Sequence, residues 1–330
     1  MIVNMNHNFH YNYIICGSDG YYLIGYSDII NLENVCYYKR YWDHLSLFSK
    51  LLVRTTFSKF INRYIKQPFS SLSYRLVLNA KFKNEAPICL IVFAPNSFLL
   101  NTPYLQYFDK KYPGNKKVLY YQDKVQVHTP GVDMNRMKEI YDIIYSYNRA
   151  DCEQYGLKYY PTPYSRLPIP SDSFLEDTDV FYCGRAKTRY NVIVNAYSEL
   201  SKQGLKCDFY LNSAPEECPR IDGIHYDVKL TYKEYLQHLS HSKALLEVMQ
   251  EDADGFTPRL WESIMYDKHL ITNNQYIKDS GYYNSLYMHD LRKSISEASS
   301  FVKEPVLYSE MEKERLNPVH FLYDIEKTLE

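Results

Sequence analysis

In the second half of the chain, short apolar runs alternate with stretches of helical periodicity. The runs that predict buried strands lie at 179–184, 207–212, 244–249 and 268–272. After the first run, apolar residues recur at helical spacing over 192–200, and Gly204 stands where a helix commonly ends. Thr231 and Glu234 have the spacing of a capping box at the start of another helix. Strands that alternate with helices predict a parallel sheet in a Rossmann-like α/β domain.

The first half of the chain is less regular but indicates the same class of fold. Apolar runs at 88–94, 117–122 and 141–147 predict three strands separated by helices. Near the start, two apolar runs flank Ser18-Asp19-Gly20, and an Asp-Gly pair in this position is typical of a tight hairpin turn. We therefore expect an α/β domain with an antiparallel hairpin at its beginning.

A proline-rich stretch over 161–170, followed by an acidic segment, predicts a linker between two domains. Charge changes sign close to it: residues 1–150 carry +8 and residues 151–330 carry −9. We expect a basic N-terminal domain over 1–165, a linker over 166–178, a second domain over 179–308 and a C-terminal segment over 309–330. In that last segment Asn317-Pro318 can start a helix with Phe321, Leu322 and Ile325 on one face.

The composition is that of a globular protein in a reducing compartment. Apolar residues make up 45% of the 330 residues, which is enough for a packed core. Seven scattered cysteines without a C-x-x-C pair argue against a disulfide scaffold and against a cysteine-based zinc site. No apolar run approaches the roughly 18 residues of a spanning helix, and the start lacks the features of a secretory signal. We expect a cytoplasmic protein.

The basic half should meet an anionic partner: a membrane surface, a phosphate-bearing substrate or nucleic acid; a solvated basic face is the alternative. Five apolar residues share one face of a helix predicted to begin after a break near Thr55-Thr56: Phe57, Phe60, Ile61, Tyr64 and Ile65. Lys59, Arg63 and Lys66 lie on the opposite face. A helix of this kind can bind an anionic membrane at the inner face of the plasma membrane, but an ordinary surface helix has the same pattern.

The most informative stretch is 254–262, which follows a predicted strand and leads into a helix. Thr257 fits the N-cap position and Pro258 the first helical position. Such a terminus offers free backbone amides and the positive end of the helix dipole to a phosphate. Arg259 in the first turn would add a fork of N–H groups, and Glu262 could accept hydrogen bonds from sugar hydroxyls. A helix start with an unrelated Arg and Glu is the alternative.

A second cationic cluster follows the first strand of this domain, in the sequence Gly184-Arg185-Ala186-Lys187-Thr188-Arg189. Ligands of α/β sheets bind at the carboxyl ends of the strands. This cluster and the stretch 254–262 both follow such strand ends, so we expect them to converge on one anionic ligand. The signatures of P-loops, of classical dinucleotide binding, of zincins and of serine hydrolases are all absent from the sequence.

Three segments within 179–275 now resemble the donor-binding domain of GT-B-type glycosyltransferases of bacterial surface-polysaccharide (capsule or O-antigen) biosynthesis: FYCGRAKTR, ALLEVMQ and DADGFTPRLWESIMYDKHLITNN. The segment 141–161 resembles the end of that family's acceptor domain. The resemblance implies two Rossmann-like domains facing across a cleft, with the C-terminal helix packing back at the domain junction. It also implies transfer of a hexosyl group from a nucleotide-sugar to a saccharide or lipid-linked acceptor, without a metal or another cofactor.

Several site residues are implied by this resemblance. Many members of the family carry two glutamates eight positions apart, and Glu262 matches the second, which would contact the nucleotide ribose. Asp254 stands at the first, where glutamate is usual, and Gly255 falls in the glycine-rich turn. The residues that would approach the donor diphosphate are Gly184, Arg185, Lys187, Thr257 and Arg259.

Two alternatives remain open at this stage. Asp252-Ala253-Asp254 is a D-x-D motif, which in GT-A glycosyltransferases binds a divalent metal that bridges the donor diphosphate. A second such motif at 177–179 shows that the pattern arises easily. The other alternative is a non-enzymatic protein that binds a nucleotide or polyanion, although signatures of nucleic-acid binding are absent.

An inverting transferase also needs a general base near the acceptor hydroxyl. The candidates in the first half are Asp19, Asp123 and His128, each of which also fits a turn, a strand end or a loop. Glu247 lies within a predicted buried strand, so it either faces the ligand or is paired structurally.

Overall fold

The computed structural model describes residues 8–17, 21–42, 44–58, 60–65, 70–94, 102–169, 175–250, 255–292 and 297–330. The chain divides into two compact units. The N-terminal unit comprises Met1–Ser165 together with Asn317–Glu330, and the C-terminal unit comprises Arg166–Leu316.

The N-terminal unit contains a parallel six-stranded sheet in the order β2-β1-β3-β4-β5-β6. Its strands are β1 (Asn12–Cys16), β2 (Val35–Tyr38), β3 (Ile88–Phe93), β4 (Lys116–Tyr121), β5 (Ile143–Ser146) and β6 (Lys158–Tyr159). Its helices are α1 (Tyr21–Gly25), α2 (Leu47–Phe57), α3 (Ser70–Leu76), α4 (Thr102–Lys111), α5 (Val125–His128), α6 (Met134–Ile140) and α7 (Arg149–Tyr155). Apolar side chains cover both faces of the sheet, which is why β1, β3 and β5 are buried along their whole length.

The antiparallel hairpin predicted at the start of this unit is wrong. The second apolar run forms helix α1, and β1 pairs in parallel with β2, with Tyr13 opposite Val35. In a sheet that is buried on both faces, every position of a strand is apolar. The apolar run that forms β1 therefore does not reveal which strand it pairs with. Ser18-Asp19-Gly20 lies outside the described residues.

The amphipathic helix predicted to run on from Phe57 is also wrong. Helix α2 starts at its N-cap Ser46 and ends at Phe57, and only a short 3-10 turn, Ile61–Arg63, follows. The end of α2 is stabilised by a side chain, since the Asn62 Nδ2 donates to the Thr56 carbonyl at 2.8 Å. The apolar residues beyond Phe57 therefore do not share one helical face.

The C-terminal unit contains a second parallel six-stranded sheet, in the order β12-β11-β10-β7-β8-β9. Its strands are β7 (Thr178–Arg185), β8 (Cys207–Asn212), β9 (Ile224–Tyr226), β10 (Ser242–Glu247), β11 (His269–Thr272) and β12 (Met288–Asp290). Its helices are α8 (Tyr190–Lys202), α9 (Tyr232–Ser240), α10 (Pro258–Met265), α11 (Ala298–Phe301) and α12 (Glu310–Glu314). The predicted α/β class with two Rossmann-like domains is thus confirmed, as is the capping box of Thr231 and Glu234.

Helix α13 (Val319–Leu329) belongs to the N-terminal unit although it ends the chain. Its predicted apolar face is confirmed: Phe321, Leu322 and Ile325 are fully buried in the core that also contains Tyr120 and Tyr145. Polar contacts lie on the flanks of this apolar face. The Tyr145 hydroxyl donates to Asp324 at 2.6 Å, and Glu326 accepts from the Tyr13 hydroxyl at 2.9 Å.

All seven cysteines are free thiols. Within the ranges given above, no helix combines the length and the apolar character needed to cross a bilayer.

Candidate functional site

The C-terminal unit has a topological switch point between β7 and β10. From β7 the chain builds the sheet in one direction through β8 and β9, whereas β10, β11 and β12 extend it in the other. Because β7 and β10 are parallel neighbours, with Ala244 opposite Val180, their carboxyl ends lie at the same edge. The crevice outside such a switch point is the usual place for a ligand in an open α/β sheet.

Helix α10 begins at this edge, shortly after β10. Thr257 is its N-cap, with Oγ1 accepting from the Arg259 backbone N–H at 3.2 Å, and Pro258 occupies the first helical position. Both features confirm the sequence prediction. The free amides expected at this terminus are not found, because Pro258 has no N–H, the Arg259 N–H bonds to Thr257, and the Leu260 N–H donates to the Thr257 carbonyl at 3.1 Å. What the start of α10 offers an anion is the positive end of the helix dipole.

Glu247, the last residue of β10, anchors the start of this helix. Its side chain is fully buried, and its two carboxylate oxygens accept hydrogen bonds from the hydroxyls of Thr257 and Thr272. Burial raises the pKa of Glu247, while these hydrogen bonds act in the opposite direction. Glu247 is therefore paired structurally: it ties the helix terminus to β10 and β11.

Arg259 places a cation between the helix start and the end of β7. Its Nη2 donates to the Cys183 carbonyl, and its guanidinium lies 5.2 Å from the centroid of the Tyr182 ring. Burial acts to lower the pKa of Arg259, but Tyr182, Tyr235 and the buried glutamates outweigh it and raise that pKa. The guanidinium stays charged and has further N–H groups for a ligand.

Gly184 leaves room for this guanidinium. A Cβ at Gly184 would lie 2.8 Å from the Arg259 Nη2 and 3.0 Å from the Tyr182 hydroxyl. Tyr182 is fully buried, and in the described part of the chain its hydroxyl has no hydrogen-bond partner. The absence of a side chain at Gly184 thus lets the Arg259 guanidinium and the Tyr182 ring pack together at the end of β7.

In the cationic turn after β7, one cation has a structural role and two are exposed to solvent. Arg189 is half-buried and donates to the Val248 carbonyl at 2.7 Å and to the Arg185 carbonyl, so it joins the ends of β7 and β10. Arg185 and Lys187 are exposed. The backbone of Lys187 is in the left-handed region, with a φ of 47°. The two exposed cations are the members of this turn that are free to meet an anion in solution.

Glu262 lies one turn into α10 and is 2% exposed. Its Oε1 accepts from the Tyr232 hydroxyl at 3.1 Å, and its Oε2 accepts from the Tyr235 hydroxyl. The two tyrosine rings are stacked, with centroids 5.5 Å apart. Glu262 is buried, whereas Tyr232 is only half-buried and therefore lies on the solvent side of the carboxylate.

The loop between β10 and α10 is held at both of its described ends. Asn273 Oδ1 accepts from the Met249 backbone N–H at 2.7 Å, and the Asn274 side chain donates to the Gly255 carbonyl at 3.1 Å. Gly255 is buried beside the helix start. Asp254, and with it the D-x-D motif of the metal-dependent alternative, lies outside the described residues.

The candidate bases belong to the N-terminal unit. Asp123 follows β4, and its Oδ1 accepts from the Lys124 backbone N–H at 2.8 Å. His128 ends α5; burial lowers its pKa, which the charge of Asp123 opposes, and its Nε2 has no hydrogen-bond partner within the described ranges. Asp19 lies outside the described residues.

The structure therefore brings together Gly184, Thr257, Arg259 and the buried Glu262 around one edge of the second sheet. Sequence reasoning missed three supporting tyrosines, Tyr182, Tyr232 and Tyr235. Nothing in their spacing marks them, because 36 tyrosines occur in the chain and these three meet the site only through the packing of β7 and α9 against α10.

No protein-family model and no curated protein sequence matches the chain. Among solved structures, the chain is similar to accessory secretory protein 1, 2 and 3 of Streptococcus pneumoniae, at 12% identity and a TM-score of 0.47 over 80% of this chain and 57% of that one. It is also similar to the catalytic domain of starch synthase IV from Arabidopsis thaliana, bound to ADP and acarbose, at 9% identity and a TM-score of 0.45 over 79% and 75%. A third is a DNA-modifying β-glucosyltransferase studied with and without uridine diphosphoglucose, at 15% identity and a TM-score of 0.40 over 73% and 81%. The chain spans just over half the length of the first of these.

Proposed function

We propose that this protein is a GT-B-type glycosyltransferase whose C-terminal unit binds a nucleotide-sugar. The observation that carries the proposal is the meeting of Arg259 with Gly184 at the switch point, beside the N-terminus of α10. A nucleoside diphosphate bears its charge on phosphate oxygens, and the positive end of a helix dipole with an arginine fork is suited to that charge.

The same groups supply the chemistry that glycosyl transfer requires. As the bond between the anomeric carbon and the diphosphate oxygen breaks, negative charge grows on the leaving group. We assign the stabilisation of that charge to Arg259, Arg185 and Lys187, together with the positive end of the α10 dipole. Because these cations can do what a bridging metal does elsewhere, metal-independent transfer forms part of the proposal.

We assign the ribose to Glu262. A carboxylate is an acceptor suited to sugar hydroxyls, and Tyr232 and Tyr235 keep this one in a single orientation. Asp254 is assigned to the donor sugar by its position in the sequence, eight residues before Glu262.

The acceptor is assigned to the basic N-terminal unit, with Asp19, Asp123 and His128 as the candidate bases. A saccharide on an anionic lipid carrier fits the charge of this half of the chain. On this basis the protein would act in the cytoplasm, at the inner face of the plasma membrane, in the assembly of a surface polysaccharide such as capsule or O-antigen, and would transfer a hexosyl group.

A hydrolysis screen with UDP-, GDP-, CDP- and ADP-sugars tests this function, since transferases release free sugar slowly when the acceptor is absent. We expect hydrolysis of one nucleotide class, undiminished by EDTA and lost in Arg259→Ala. Loss of hydrolysis in EDTA would favour the metal-dependent alternative. Absence of hydrolysis, together with binding of nucleic acid, would favour the non-enzymatic one.

A further inference from the structure

Helix α2 carries apolar side chains on the side that faces solvent. Val53 and Thr56 face the core, where the Thr56 hydroxyl lies 2.7 Å from the Ser73 hydroxyl of α3. On the other side, Leu47, Phe48 and Leu51 are 87%, 75% and 64% exposed. An ordinary surface helix has polar residues in these positions.

Three more large apolar side chains are exposed beyond the end of this helix. Phe60, Tyr64 and Ile65 are each at least 60% exposed, and the rings of Phe60 and Tyr64 lie 5.6 Å apart. The hydrogen bond from the Asn62 amide to the Thr56 carbonyl holds this turn against α2. We call the six residues the apolar ridge: Leu47, Phe48, Leu51, Phe60, Tyr64 and Ile65. Groups of large exposed apolar side chains mark interaction sites in folded proteins.

Basic side chains are interspersed with the ridge. Arg54 and Arg63 are exposed and Lys50 is half-buried. Across 37–69 the sequence has seven basic residues and a single acidic one. Two copies of this surface would bring cations against cations. An anionic lipid surface complements both components, because its headgroups attract the basic residues while the acyl boundary accepts the aliphatic and aromatic ones.

We propose that the apolar ridge and its basic neighbours bind the surface of an anionic lipid bilayer, with the ridge at the boundary between headgroups and acyl chains. The surface lies wholly within the N-terminal unit. The inference deepens the membrane location given under the proposed function, but it involves none of the residues assigned above to the nucleotide-sugar, so vesicle binding and nucleotide binding can fail independently.

Flotation of the full chain with vesicles tests the proposal. We expect the protein to float with vesicles of phosphatidylglycerol and phosphatidylcholine in equal parts, to stay at the bottom with phosphatidylcholine alone, and to release in high salt. Phe48→Ser with Leu51→Ser should abolish flotation. Lys50→Glu with Arg54→Glu should weaken it by at least about 25-fold, because each basic residue near an anionic surface accounts for about fivefold in affinity.

Two matched controls should float like the wild type. Leu286→Ser removes an apolar side chain that is 70% exposed in the C-terminal unit, and Lys110→Glu reverses an exposed charge on α4. Wild-type protein that fails to float with anionic vesicles would overturn the proposal, as would a Phe48→Ser/Leu51→Ser variant that floats normally. Ridge-dependent dimers without vesicle binding would show that a second copy is the partner. Nucleotide binding measured on the same variants keeps this result separate from the transferase function.

Discussion

The Arg259 guanidinium occupies the space that a side chain at Gly184 would need, since a Cβ there would lie 2.8 Å from Nη2. The two residues are 75 positions apart in the sequence and meet at the carboxyl edge of the second sheet. The absence of a side chain at the end of β7 thus lets a cation from α10 reach the switch point.

Gly184→Ala should weaken nucleotide binding through Arg259. The Arg259 Nη2 is the end of a flexible side chain, so the added methyl group displaces the guanidinium rather than the backbone. We expect nucleoside diphosphate affinity to fall by about tenfold, the loss of roughly one charge-assisted hydrogen bond. Calorimetric titration measures this directly.

A double-mutant cycle is the control for that prediction. If Gly184 acts by making room for Arg259, the Gly184→Ala/Arg259→Ala pair binds no more weakly than Arg259→Ala alone. Additive losses would mean that Gly184 has a separate role, for instance a direct approach of its backbone to the ligand.

The hydroxyl of Thr257 should matter more than its methyl group. Thr257→Ala removes the N-cap of α10, which costs about 1 kcal/mol, and also removes a hydrogen bond to the buried Glu247. We expect a fall of about 2–3 kcal/mol in the free energy of unfolding by urea. Thr257→Ser keeps both hydrogen bonds and should stay close to the wild type; equal losses in the two variants would exclude the hydroxyl as the cause.

Glu247 should make stability depend on pH. Burial raises its folded pKa above the ordinary 4.5, so between 4.5 and the raised value the folded state binds a proton that the unfolded state has lost. Its contribution to stability therefore falls as pH rises through that interval. The amide introduced by Glu247→Gln does not titrate, so the unfolding free energy of this variant relative to the wild type should increase with pH above about 4.5. A difference that is flat with pH would contradict the raised pKa.

The C-terminal helix should stabilise the N-terminal unit. Phe321 is fully buried, with its ring centroid 5.0 Å from that of Tyr120 and 5.2 Å from that of Tyr145. Phe321→Ala should cost about 3–5 kcal/mol in that unit, as large core truncations of phenylalanine do. Hydrogen exchange measured separately for the two sheets checks this, and we expect faster exchange in β3 and β4. Faster exchange in β7 and β10 instead would contradict the assignment of α13 to the N-terminal unit.

The sequence indicated the C-terminal unit well because its signals are local. The capping box at Thr231 and the Thr257-Pro258 helix start are decided within four residues, and both appear where the pattern placed them. The apolar face of α13 was visible for the same reason.

The errors and omissions have physical causes. The strand that pairs with β1 is Val35–Tyr38, which lies outside the apolar run from which the hairpin was predicted. The end of α2 depends on the side chain of Asn62, which also lies beyond the helix itself. The role of Glu247 was left open because its partners, Thr257 and Thr272, come from two different elements. The tyrosines that orient Glu262 could not be distinguished from the many tyrosines of the core.

Calorimetric titration of the wild type and of Arg259→Ala with UDP, GDP, CDP and ADP tests the central claim most directly. We predict that one nucleoside diphosphate binds the wild type in the presence of EDTA and binds Arg259→Ala at least about tenfold more weakly. Equal affinity of the two proteins for that nucleotide, or no binding of any of the four by the wild type, would contradict a nucleotide-sugar site at this edge of the sheet.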